Sequence, residues 1–117
     1  MHKVAILVYA DTESHADLGR LTNALTTAKE FIDAGDEVEI VFDGAGTQWV
    51  PELEDDSHTA APLYQSLKEH ASACEFCAGA FDVEAEVTES GVDRRAEYEG
   101  HPSVRALVDD GYEVITF

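Results

Sequence analysis

The sequence opens with a strand–helix–strand pattern, and this pattern restricts the chain to a small set of folds. Residues 3–9 form a continuous apolar run of strand length, which is typical of a strand buried on both faces of a parallel sheet. Apolar residues then recur at helical spacing over residues 18–32, and Gly35 ends the predicted helix. A second strand is predicted over residues 37–42. Two such strands joined by a helix predict a parallel pair with a right-handed crossover.

The rest of the chain continues this alternation of helices and strands. Residues 43–58 predict a long connection, in which an apolar cluster around Trp49 packs beneath the loop or against another subunit. Further helices are predicted over residues 62–69, over residues 84–90 and from Pro102 onward, where Val104, Leu107 and Val108 face inward. Further strands are predicted up to residue 74, over residues 92–96 and over residues 112–117. These elements predict a three-layer α/β/α sandwich with a mostly parallel sheet of about five strands, and one domain over residues 1–117.

Charge is the most unusual global property of the chain. It contains 25 Asp and Glu residues against 7 Lys and Arg residues, which gives a formal net charge of −18. Such a surface repels nucleic-acid phosphates and anionic lipid, so we expect neither nucleic acid nor a membrane as a partner. Because the acidic residues are spread along a chain with clear apolar periodicity, we interpret them as an adaptation to high salt in a halophilic host. No long apolar run or basic leader is present, which predicts a cytoplasmic location.

Both cysteines lie in one short segment, residues 71–83, at the predicted junction of a strand and a helix. Unpaired N–H groups and the helix dipole at such a junction favour a thiolate. Reactive groups in parallel α/β folds also gather outside the carboxyl ends of the strands. We therefore predict that Cys74 is a catalytic residue and that Cys77 is its partner. The following helix is the expected source of stabilisation, because no lysine or arginine is adjacent and Glu75 and Asp82 oppose a thiolate.

The Cys-x-x-Cys spacing leaves several chemistries open. A dithiol is one of them, although the usual Gly or Pro between the cysteines is missing. A zinc site that adds His70 to the two cysteines lacks a fourth ligand, so we predict no metal and no cofactor. His15, His58 and His101 lie in polar, loop-like segments, and each is predicted as a surface residue, although His15 follows the first strand at a position from which it could reach Cys74. Two cysteines packed as small buried side chains are a further alternative.

Several of these stretches together resemble the DsrE/DsrF-like proteins, which include the sulfur-relay subunits of the TusD type. The similarity covers residues 4–9, 21–35, 37–42 and 73–83. In the relay subunits a single cysteine at the end of the corresponding strand carries sulfur as a persulfide, and the position of Cys74 matches it. Residues 43–53 and 99–103 resemble an uncharacterised branch of the family more closely than the relay subunits. Cys77 is an addition that the relay pattern does not need.

The resemblance implies a three-layer α/β domain that assembles as a homo-oligomer, either a trimer or a hexamer. It also implies sulfur donor and acceptor proteins as partners. The implied mechanism is that the Cys74 thiolate accepts a sulfane sulfur from a donor persulfide and passes it to an acceptor thiol. In one alternative, Cys77 resolves this persulfide as an internal disulfide and the protein acts as a sulfur or redox sensor. In another, the protein is a non-catalytic oligomeric binding module.

Overall fold

The computed structural model describes residues 1–117 and contains one sheet in which every strand pair is parallel. The strands are β1 (Lys3–Val8), β2 (Glu37–Phe42), β3 (Ala71–Cys74), β4 (Asp93–Arg95) and β5 (Glu113–Thr116). Their order across the sheet is β4-β3-β2-β1-β5. The predicted α/β class and the five strands are confirmed. Because β2 and β3 are neighbours, the residues that end these two strands lie side by side at the same sheet edge.

Helices cover the two faces of the sheet unequally. They are α1 (His15–Asp33), α2 (Trp49–Glu54), α3 (Ala61–Leu67), α4 (Glu75–Ala80), α5 (Glu84–Ser90) and α6 (Val104–Asp109), with short 3-10 helices at Gly44–Gln48 and Lys68–His70. Residues of α1 to α5 join one face of the sheet in a core of 23 buried residues. The opposite face is covered by α6 alone, and only 4 buried residues form its core. No helix has both the length and the hydropathy needed to cross a membrane.

The connection after β2 is more ordered than the sequence predicted. It consists of a 3-10 helix and α2, and Trp49 is buried beneath it. The indole Nε1 of Trp49 donates a hydrogen bond to the carbonyl oxygen of Ala10 at 2.9 Å. This bond satisfies the one polar atom of a large buried ring, so the expectation that Trp49 packs beneath the connection is confirmed.

Two predictions for α6 are wrong: the residue at which the helix begins and the burial of Val108. The helix begins at Val104, because the Ser103 hydroxyl caps it by accepting a hydrogen bond from the Ala106 N–H at 3.1 Å. Leu107 is buried against the sheet, whereas Val108 is 58% exposed. Successive helical residues point about 100° apart, so a helix this short turns only one narrow row toward the sheet.

Gly46 lies against the backbone of β1, where no side chain fits. A Cβ at this position would lie 1.9 Å from the Val8 carbonyl oxygen, which also accepts a hydrogen bond from the Asp43 N–H at 3.0 Å. We expect Gly46→Ala to lower the free energy of unfolding by about 3 kcal/mol, because the backbone must move to remove this overlap. Urea unfolding followed by circular dichroism measures the change.

The matched control for this prediction is Gly19→Ala, within α1. No atom lies within 4 Å of a Cβ at Gly19, and alanine is the better helix former by about 1 kcal/mol. This variant should unfold at an equal or higher urea concentration than the wild type. Equal stability of the two variants would contradict the close contact at Gly46.

Candidate functional site

Four side chains meet at the carboxyl edge of the sheet: Asp43, Cys74, Cys77 and His101. One donor atom from each lies within 4.8 Å of the other three. Asp43 follows β2 directly and Cys74 ends the neighbouring strand β3, so the parallel pairing itself brings these two side chains together. We call these residues the four-residue site.

The two cysteines are held by the start of α4. Cys74 is the N-cap of this helix, and its Sγ accepts a hydrogen bond from the Cys77 N–H at 3.3 Å. Cys74 is fully buried, whereas Cys77 is half-buried. The predicted helix start beside Cys74 is therefore confirmed, and Cys77 is the more accessible of the two thiols.

His101 contacts both thiols. Its Nδ1 lies 3.4 Å from Cys74 Sγ and 3.8 Å from Cys77 Sγ. The imidazole ring packs on Phe76 of α4, with 4.7 Å between the ring centroids. These contacts place a nitrogen that can accept or donate a proton next to the two sulfur atoms.

A tight turn presents His101 to the site. The backbones of Tyr98 and His101 exchange two hydrogen bonds, of 2.9 and 2.8 Å, across the two residues Glu99 and Gly100. Both central residues have positive φ, 53° and 83°, as a type I′ turn requires. The Gly100 carbonyl accepts a hydrogen bond from the Phe76 N–H at 3.0 Å, which ties this turn to the first turn of α4.

The prediction that His101 is a surface residue without a role in the site is wrong. His15 is exposed at the start of α1, and His101, predicted as a surface residue, is the one that reaches Cys74. His70 lies before the first residue of β3, next to Glu69, at the opposite edge of the sheet from Cys74. A zinc site made from His70 and the two cysteines is therefore excluded by the length of β3, about 10 Å.

Comparisons with known proteins agree with this fold. Residues 2–117 match the DsrE/DsrF-like family. The chain belongs to this family. The DsrE/DsrF-like family is associated with sulfur relay. An uncharacterized protein of Methanocaldococcus jannaschii is 27% identical over 114 residues, which cover 97% of this chain and 93% of the relative.

A solved structure supports the fold independently. A conserved protein of unknown function from Bacteroides thetaiotaomicron superimposes with a TM-score of 0.61. The similarity covers 98% of this chain and 95% of that protein, at 14% sequence identity. At this identity the comparison supports the fold alone.

The Cys74 thiol of this DsrE/DsrF-like protein is not a thiolate in this conformation. Burial raises the pKa of Cys74 to about 12, and the nearby Asp43 carboxylate and Cys77 thiol oppose the charged form as well. The hydrogen bond from the Cys77 N–H favours the thiolate but does not offset burial. The expected stabilisation by the start of α4 is therefore present, but burial outweighs it and Cys74 stays protonated.

The acidic residue that opposes the thiolate also differs from the prediction. Glu75 points to Arg94, with a closest N–O distance of 4.0 Å. Asp43, which is 7% exposed, is the carboxylate that acts on Cys74. The site thus combines two thiols, a carboxylate and an imidazole. Asp43 forms no ion pair with a lysine or an arginine.

Proposed function

We propose that this chain acts as one domain in a sulfur relay and carries a sulfane sulfur as a persulfide on Cys74. The observation that carries this proposal is the 3.4 Å contact between Cys74 Sγ and His101 Nδ1, in a member of the DsrE/DsrF-like family. A cysteine beside an imidazole is a common arrangement for activating a sulfur nucleophile. Cys77 supplies a second thiol within reach of the same nitrogen.

The first step transfers one sulfur atom from a donor persulfide to Cys74. The S–H proton of Cys74 passes to His101 Nδ1 as Cys74 Sγ attacks the terminal sulfur of the donor. The donor S–S bond breaks, and the donor cysteine leaves with the electron pair and takes the proton from His101. The products are a Cys74 persulfide and a donor thiol, with no net oxidation or reduction. His101 is therefore the group that overcomes the raised pKa of Cys74.

The second step delivers the sulfur to an acceptor. An acceptor thiolate attacks the outer sulfur of the Cys74 persulfide, and the Cys74 thiol is restored when its sulfur takes back a proton. In the alternative of a sulfur sensor, Cys77 attacks the inner sulfur, which forms a Cys74–Cys77 disulfide and releases hydrogen sulfide. In that step the Cys77 sulfur is oxidised and the outer sulfur is reduced. Cys77 is the resolving thiol of this alternative and takes no part in the carrier mechanism.

The surroundings of the site fit protein partners. Phe76 is 58% exposed and Tyr98 is 67% exposed, and both lie beside His101. Exposed aromatic side chains are enriched in protein interfaces, so these rings are the proposed contacts for the donor and acceptor proteins.

The homo-oligomer is also part of the proposal. One face of the sheet is covered only by α6, and Val108 on that helix is largely exposed. A second subunit that packs on this face would bury Val108 and the part of the sheet that α6 leaves uncovered. Light scattering after size exclusion at high salt tests for the trimer or hexamer that the family resemblance implies, and a monomer would contradict it.

Intact-mass analysis after incubation with a protein persulfide donor tests the sulfur carrier. Chelator-treated wild type and the variants Cys74→Ser and Cys77→Ser are compared. We expect the wild type and Cys77→Ser to gain one sulfur atom and Cys74→Ser to gain none. Retention of the adduct by Cys74→Ser, or its absence from every sample, would overturn the proposal. Loss of two hydrogen atoms from the wild type alone would indicate a dithiol sensor instead of a carrier.

A further inference from the structure

We propose that the four-residue site binds a zinc ion through Asp43, Cys74, Cys77 and His101. Two thiolate sulfurs, one imidazole nitrogen and one carboxylate oxygen are donor types that zinc takes in proteins, usually as four ligands in a tetrahedron. The family resemblance does not supply this site, because it concerns Cys74 alone. This proposal does not depend on the sulfur-relay proposal, because it is tested by metal binding and not by sulfur transfer.

The distances in the site are close to those of a tetrahedral centre. Zinc bonds of about 2.0–2.3 Å at tetrahedral angles place neighbouring ligand atoms about 3.3–3.8 Å apart. The two distances from His101 Nδ1 to the sulfurs of Cys74 and Cys77 are 3.4 and 3.8 Å. All four donor atoms lie within 4.8 Å of one another, so each pair must approach by at most about 1.5 Å to complete the centre.

Asp43 supplies a second and independent observation. Its carboxylate is 7% exposed, faces two thiols, and takes part in none of the ion pairs of the structure. The Gly44 N–H donates to its Oδ1 at 2.8 Å, which fixes the orientation of the carboxylate. A buried charged group without a cationic side chain is costly, and a bound cation removes this cost. The net charge of −18 also attracts cations toward the protein.

The backbone holds each donor before a metal binds. Asp43 follows β2 and caps the next 3-10 helix, Cys74 and Cys77 frame the start of α4, and His101 closes the type I′ turn. The N–H of Cys77 already donates to Cys74 Sγ, and such bonds orient a sulfur ligand. A metal held by these residues joins three separate segments of the chain, so its binding should stabilise the fold.

Zinc binding and sulfur transfer use the same sulfur atoms. A metal-bound Cys74 is a coordinated thiolate without a proton, and a metal-bound His101 Nδ1 has no free lone pair to accept one. If both proposals hold, zinc is an inhibitor of sulfur loading. Because sulfur loading is measured on chelator-treated protein and metal binding on protein without a sulfur donor, each can fail without the other.

Titration of reduced, metal-free protein with Zn²⁺ and with Co²⁺ tests the site. Zn²⁺ competition against a chromophoric chelator should give one tight site per chain, and Co²⁺ should give thiolate-to-metal charge-transfer absorption. We expect His101→Ala and Asp43→Asn to weaken zinc binding by about 100-fold or more and about 10-fold or more, respectively. His70→Ala is the matched control, because His70 neighbours β3 in sequence but lies at the other sheet edge, and it should bind as the wild type does.

A variant can be less stable than the wild type, so zinc binding is also measured as the change in each protein's own melting temperature when Zn²⁺ is added. Zn²⁺ should raise the melting temperature of the wild type and of His70→Ala, but not that of His101→Ala. The proposal is overturned if His101→Ala retains wild-type affinity or if His70→Ala loses it equally. It is also overturned if Co²⁺ gives no thiolate absorption, because the cysteines then are not ligands.

Discussion

His101→Ala is expected to slow sulfur loading of Cys74 by about 100-fold or more, because it removes the proton acceptor next to a thiol with a raised pKa. His15→Ala is the matched control. His15 is exposed at the start of α1, outside the four-residue site, so its removal should leave the loading rate unchanged. The rate is measured as the growth of the one-sulfur adduct by mass spectrometry, with chelator present throughout.

A second variant separates proton transfer from packing. His101→Gln keeps a polar side chain of similar size beside Phe76 but cannot accept a proton near pH 7. It should lose nearly as much activity as His101→Ala while its melting temperature stays near that of the wild type. Wild-type loading by His101→Gln would show that the imidazole only fills space, and equal losses in His101→Ala and His15→Ala would remove His101 from the mechanism.

The sheet could be predicted because its causes are local. Strand β1 is an apolar run after Lys3, β2 ends in the apolar residues Ile40, Val41 and Phe42, and α1 carries a helical repeat that ends before Gly35. These patterns depend only on the chain near each element. The end of α6 shows the limit, because the burial of Val108 depends on how a short helix sits on the sheet, which no local pattern contains.

The site could be predicted only in part. The position of Cys74 follows from the strand-to-helix junction, which is local. His101 lies 27 residues after Cys74 in the sequence and reaches it through the hydrogen bond of Gly100 with the start of α4 and the packing on Phe76. The Glu99–Gly100 turn lacks the Asn-Gly or Asp-Gly pair that is typical of a type I′ turn, and the sequence does not show what this turn packs against. The role of Asp43 also could not be predicted, because it depends on the pairing of β2 with β3.

The charge state of Cys74 was wrongly predicted because the sequence shows the helix end that favours a thiolate but not the burial that opposes it. A favourable helix end contributes about 0.3–1 kcal/mol. Burial of an unpaired charged group costs several kcal/mol. Since Cys74 is fully buried and α4 is short, burial decides the outcome. The thiol is therefore neutral at rest, and it must lose its proton to a partner during the reaction.

Alkylation of the reduced, metal-free protein should modify Cys77 about 100-fold faster than Cys74 near pH 8, since only the thiolate reacts and burial both shields Cys74 and raises its pKa to about 12. Because this pKa lies above the usual value of about 8.5, the alkylation rate of Cys74 should still increase with pH where free cysteine has reached its maximum. Iodoacetamide modification followed by peptide mass analysis gives both rates. In denaturant the two cysteines should react equally, which is the control. Equal rates in the folded protein would contradict the burial of Cys74 and would restore the thiolate that the strand-to-helix junction alone predicts.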